Sequence, residues 1–181
     1  MNLQHVNVRI FVDGDLQIDL ERVIEVFHEW VAAQSVDEMM IDVVDYRHVP
    51  AGPGVVMVGH EADYALDETG NRPALRYNRK APLAGSNVDR FIQAYRAASK
   101  LCSRLESQFD GLKFSRLEFE LAVNDRALAP NTDESRDAVA TDVAAFVRTV
   151  SGSDEFSTDY DRDRRAVFGV IITLSAPAVW E

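Results

Sequence analysis

The sequence is poor in cysteine, in lysine, in net positive charge and in long apolar runs. A single cysteine, Cys102, excludes an intramolecular disulfide. It fits a reducing cytosol better than a disulfide-built secreted domain. Lysine occurs only at Lys80, Lys100 and Lys113, against sixteen arginines. That bias is what a GC-rich genome produces, and it also supplies guanidinium groups suited to bidentate carboxylate pairing. Eighteen Asp and twelve Glu provide the partners. The formal net charge of −11 argues against sequence-independent nucleic-acid binding, which needs clustered cations to displace counterions. It equally disfavours adsorption to anionic membranes. The longest apolar stretch, residues 166–180, is interrupted by Gly169, Thr173, Ser175 and Pro177 and falls short of the roughly 20 residues a membrane span takes. The first fifteen residues lack the basic region and apolar run of a secretory signal. Together these absences point to an acidic cytoplasmic protein with no nucleic-acid and no membrane partner.

What is present reads as one domain, residues 1–181, with 46% hydrophobic residues to build a core. Val6, Val8, Ile10 and Val12 alternate with Asn7, Arg9, Phe11 and Asp13 and predict a half-buried strand. A helix follows from Asp19, a good N-cap, with Leu20, Val23, Ile24, Phe27, Trp30 and Val31 on one face. Residues 39–49 read as a second strand, and Gly52-Pro53-Gly54 as a turn without the features of a phosphate-binding loop. Residues 55–66 and 73–80 predict a third and a fourth strand joined as a hairpin. Ser86 and Asp89 form a capping signal for a long helix that stops at Gly111 and carries Cys102 on its apolar stripe.

Residues 114–123 predict a fifth strand, with Leu117, Phe119 and Leu121 on one face and Arg116, Glu118 and Glu120 on the other. Pro130 to Glu134 opens a third helix that Gly152 closes. The acidic stretch 154–163 reads as a loop. Residues 164–175, apolar on both faces, read as a central last strand. The order β-α-β-β-β-α-β-α-β implies an α+β two-layer sandwich: an antiparallel or mixed sheet of about six strands with three helices on one face.

Chemically capable side chains concentrate in residues 42–82. Asp42, Tyr46 and His48 share one face of the second strand, and His60 and Tyr64 share one face of the third. If the two strands pair, these residues form one polar wall suited to acid–base work, since histidine titrates near neutrality. The competing reading is a wet sheet face. Glu61 and Asp63 share the opposite face and form a candidate metal pair. The second histidine of the helical zinc signature is missing there, and the alternative is a pair of solvated carboxylates. Arg76 and Arg79, with Arg72 and Lys80 nearby and a helix start at Ser86, offer an anion site. Charge balance within an acidic chain explains the same cations.

The segments His48-Val49-Pro50, Gly52-Pro53-Gly54-Val55-Val56, Gly59-His60-Glu61-Ala62-Asp63-Tyr64 and Tyr77-Asn78-Arg79-Lys80 resemble a group of uncharacterised bacterial proteins of about this length, which carry no assigned activity. The resemblance implies a bacterial origin. The residues themselves lead to a binding protein for a small anion or metabolite, acting as a homo-oligomer, with Asp42, Tyr46, His48, His60, Tyr64, Arg76 and Arg79 as its site. No cofactor is required by any motif. The rival readings are a hydrolase with a carboxylate–histidine site, using a divalent metal or none, and a structural or partner-binding protein.

Overall fold

The computed structural model describes residues 1–161 and 163–180. Eight strands form one antiparallel sheet. They are β1 (Val6–Val12), β2 (Met40–Tyr46), β3 (Gly54–Gly59), β4 (Ala62–Asp67), β5 (Ala74–Arg79), β6 (Phe114–Val123), β7 (Phe156–Tyr160) and β8 (Phe168–Leu174). Their spatial order is β2-β3-β4-β5-β1-β6-β8-β7. Among the described residues three α-helices accompany the sheet: α1 (Leu20–Ala33), α2 (Asn87–Gln108) and α3 (Asp133–Ser151).

The register explains why the sheet has one dry face. Val55, Leu66, Leu75, Ile10, Phe119 and Ile172 lie opposite one another across six strands, and all are buried. The row beside it runs Met57, Tyr64, Tyr77, Val8, Leu121 and Val170, also buried. Because side chains alternate along a strand, the rows between these face the other way. They carry Arg76, Arg9 and Glu120 in one register and Asp63, Asn78 and Asn7 in the next. Helix α1 packs on β2 and β3, and α2 on β1, β5 and β6. Helix α3 packs on α2 and sends Phe146 to within 5.9 Å, ring to ring, of Phe119 and of Phe91. The α+β class, three helices and open antiparallel sheet agree with the sequence reading.

The strand count does not. The expected third strand is two, folded back on each other at His60-Glu61. Gly59 permits the tight reversal: a Cβ there would lie 2.4 Å from the Ala62 carbonyl oxygen and 2.4 Å from the Met40 methyl. The acidic stretch expected as a loop contains β7, an edge strand whose Ser157, Thr158 and Asp159 are exposed. An edge strand with wet side chains lacks the apolar alternation by which strands are read. Strand β8 lies one place in from that edge and is not central. On β6 the alternation breaks. The register with β1 shifts between Ile10 and Val12, leaving Leu117 exposed and turning Arg116 to the helical side, where it pairs with Glu106 of α2 at 2.8 Å.

Local signals hold at the helix ends. Asp19 caps α1 through the Glu21 N–H, Ser86 and Asp89 form a reciprocal capping box, and Gly152 closes α3. Trp180 docks on the body: its Nε1 donates to Tyr95 Oη at 3.0 Å, and the Arg116 guanidinium stacks 3.1 Å from its ring centroid. Cys102 is fully buried, which pushes its thiol well above the usual range and makes it a small apolar core residue. Among the described residues no helix is long and apolar enough to cross a membrane.

Candidate functional site

The expected polar wall does not form. Tyr64 points into the helix-covered core and is 2% exposed, while Asp42 shares the open face, opposite Val58. Asp42 and Tyr46, four residues apart, stand roughly 13 Å from each other along β2. His48 sits in the turn before β3 and His60 in the turn after it. Six residues of strand therefore separate them, roughly 20 Å. Of the five wall residues only Tyr46 and His48 come together, with ring centroids 6.3 Å apart. The physical reason is the hairpin at His60-Glu61, which removes the unbroken strand on which the wall depended.

The expected metal pair and cation cluster are likewise taken up by one another. Glu61 pairs with Arg79 at 2.9 Å. Asp63 pairs with Lys80 at 2.6 Å and accepts from the Gly59 N–H. Arg79, nearly buried, donates its Nε to the Ala81 carbonyl. Glu61 and Asp63 thus each face a cation of their own. Among the described residues no group of three or more His, Cys, Asp or Glu could hold a metal ion.

Arg76 belongs to the densest charge cluster of the open face. It lies directly opposite Arg9 on the neighbouring strand, an arrangement of like charges that is unfavourable by itself. Asp67, wholly buried beneath them, resolves it. Its Oδ2 is 2.8 Å from Arg9 Nε, and its Oδ1 is 3.7 Å from Arg76 Nη1. The first of these is an ion pair whose geometry leaves both atoms without a hydrogen bond. Arg9 also reaches Glu120 at 2.9 Å and the carbonyls of Thr69 and Arg72. This network ties Arg9 to two carboxylates and two carbonyls and draws Arg76 toward Asp67.

On the helical side, Tyr64 and Tyr77 both donate to Glu38, at 2.5 and 3.2 Å, and Gln93 donates to Tyr77 Oη at 2.9 Å. Burial first, and then Glu38, raises the Tyr64 phenol far above its usual range. Burial pushes Tyr77 and Tyr95 up to about 12. These groups stay protonated near neutrality: Tyr64 and Tyr77 are fixed donors to Glu38, Tyr95 accepts from Trp180, and none serves as an acid or base there. The adjoining cavity holds about 30 Å³, room for a single water.

The phenols give the fold an alkaline limit. Raised folded-state values mean that the stability they contribute is complete below the unfolded phenol value near 10. It is lost as pH rises from there through about 12. Chemical denaturation followed from pH 8 upward is expected to show a flat stability to about pH 10 and then a decline of about 1.4 kcal/mol per pH unit for each phenol.

A larger cleft lies elsewhere, at the start of α3. It encloses about 350 Å³ and is lined by Asn131, Thr132, Asp133, Arg136 and Arg164. This is the lower end of the range for small-molecule sites, roughly 300–1,000 Å³. Its floor is Asn131, 2% exposed, whose Nδ2 donates to the Asp161 and Asp163 carbonyls at 2.9 and 3.0 Å. Two carbonyl acceptors fix the amide orientation, so the other atom is Oδ1. That oxygen is buried and has no hydrogen-bond partner among the described residues. Arg136 pairs with Asp133, reaches toward the Asp161 carbonyl and lies 5.0 Å over the Tyr160 ring, while its Nε is also buried without a partner.

Thr132 caps the helix by accepting from the Ser135 N–H. The Glu134 carboxyl is held below its usual range, first by its own backbone N–H, then by the Thr132 hydroxyl, with Arg164 adding to the effect. The chain around Asn131 reads from sequence only as a helix start, and Arg164 as the beginning of a strand. Neither carries a pattern that joins them.

A different surface feature marks the sheet edge. Met39, Ile41, Tyr46 and Val49 are all exposed on or beside edge strand β2, and the Asp42 carboxylate accepts from the Val43 N–H. That contact occupies one donor of a free strand edge. Comparison with protein-family models, curated proteins and solved structures finds no match to this chain.

Proposed function

We propose that this protein binds a small anionic metabolite in the cleft at the start of α3. The observation that carries the reading is that two arginines, Arg136 and Arg164, line one cleft with the first turn of a 19-residue helix in a chain of net charge −11. Helix N-termini favour anions, and guanidinium groups bind carboxylate and phosphate in a fixed fork. The anion class is the one the sequence led to, but its place moves from residues 42–82 to the opposite end of the sheet. There the cations Arg79 and Lys80 are bound to Glu61 and Asp63, whereas Arg164 is exposed at the cleft.

Calorimetric titration with inorganic phosphate, lactate and alanine tests the reading. At least one probe is expected to bind, and Arg164→Ala is expected to weaken it about tenfold, equivalent to about 1.4 kcal/mol, with the melting temperature of the free protein unchanged. Absence of heat with every probe, or equal affinity in the variant, contradicts the proposal.

A further inference from the structure

The cleft contains two enclosed atoms of opposite kind that other side chains leave unused. Among the described residues Arg136 Nε is a donor without an acceptor, and Asn131 Oδ1 is an acceptor without a donor. A buried polar atom left unpaired is costly, so a site that holds one of each discriminates between ligands by which of the two they satisfy. A plain anion answers the donor and leaves the acceptor unpaired. The Asp133 carboxylate, largely exposed at the same cleft, adds a second feature that repels a plain anion and attracts a cationic or hydrogen-bonding group.

Resting on the anion-binding reading, we infer that the ligand is a small hydroxy acid or amino acid. Its carboxylate meets Arg136 and Arg164, and its hydroxyl or ammonium group donates to Asn131 Oδ1. Asn131 is then the residue that sets specificity. Its amide nitrogen cannot substitute for the oxygen, because both of its hydrogens go to the Asp161 and Asp163 carbonyls and hold the β7–β8 connection against α3. The site thereby prefers ligands that carry both signs of hydrogen-bonding group over those that carry charge alone. This preference differs from that of a simple helix-terminus anion site, where backbone N–H groups offer donors only. Here two of those donors are already engaged, the Ser135 N–H by Thr132 and the Glu134 N–H by its own carboxylate.

A series of three-carbon acids separates the cases. Propionate carries the acid alone. Lactate and alanine add a hydroxyl or an ammonium at the second carbon, and 3-hydroxypropionate and β-alanine add it at the third. Calorimetry with the full chain is expected to show at least one donor-bearing acid binding tenfold or more tighter than propionate. In Asn131→Leu that advantage is expected to fall to twofold or less. Affinities of all five acids within twofold of one another overturn the inference while leaving an anion site in place. No binding by any of them, nor by inorganic phosphate, overturns both. If Asn131→Leu fails to fold, the ligand series in the unaltered protein decides by itself.

Discussion

Replacing Asp67 by alanine is expected to destabilise the protein by about 3–5 kcal/mol, the usual cost of removing one partner from a buried ion pair. Asp67 is wholly inaccessible although it lies on the face that no helix covers. Its cover is the side chains of Arg9 and Arg76 and the turn at Thr69–Asn71, from which Thr69 donates both its hydroxyl, at 2.5 Å, and its backbone N–H, at 3.2 Å, to Oδ1. Without the carboxylate, two guanidinium groups stand directly opposite each other on adjacent strands, with Glu120 alone to offset them. The neighbouring pair of Arg72 and Glu118 supplies the control. It is bidentate, but its side chains are 43% and 31% exposed, and Glu118→Ala is expected to cost at most about 1 kcal/mol. Urea denaturation of the two variants measures both figures. Equal small losses would mean that the central network is no stronger than a surface pair.

Gly54→Ala is expected to be at least as damaging, costing about 3 kcal/mol or more, in the range reserved for strained or overpacked positions. Gly54 opens β3 at φ +62, and a Cβ built there would stand 2.1 Å from the Leu66 carbonyl oxygen. Leu66 lies opposite Val55 in the β3–β4 ladder and within the buried row of the core, so its backbone cannot withdraw without opening that ladder. Gly70 offers the comparison: its φ is +72, but nothing lies within 4 Å of the added atom. Alanine there is expected to cost only the conformational penalty of about 1–2 kcal/mol. A Gly54→Ala variant as stable as Gly70→Ala would contradict this reading of the β3–β4 junction. The comparison is read from paired thermal melts.

Features encoded within a few residues were legible in the sequence. Asp19, the Ser86–Asp89 box, Gly152 and the alternation of β1 each act locally, through a cap, a positive φ or a two-residue period. The hairpin at His60-Glu61 was not legible. Its turn lacks the Asn-Gly or Asp-Gly pair of the commonest reversals, and apolar residues stand on both sides of it, at Val55 to Val58 and again at Ala62, Tyr64 and Leu66. That single misreading displaced the candidate site, because the face assigned to His60 and Tyr64 depended on an unbroken β3. Strand β7 was hidden for the opposite reason, since an edge strand carrying Ser157, Thr158 and Asp159 shows no apolar signal. The cleft was hidden because Asn131 acquires its role from carbonyls 30 and 32 residues further along the chain, and only the packing of the β7–β8 connection against α3 brings them together.

The most direct test of the binding account is amide NMR of the full chain titrated with lactate and, separately, with inorganic phosphate. The account predicts that resonances of residues 131–136 and 163–165 move and saturate together while those of residues 42–64 stay in place. Movement centred on His48 and His60, or no saturable movement with either probe, would contradict it.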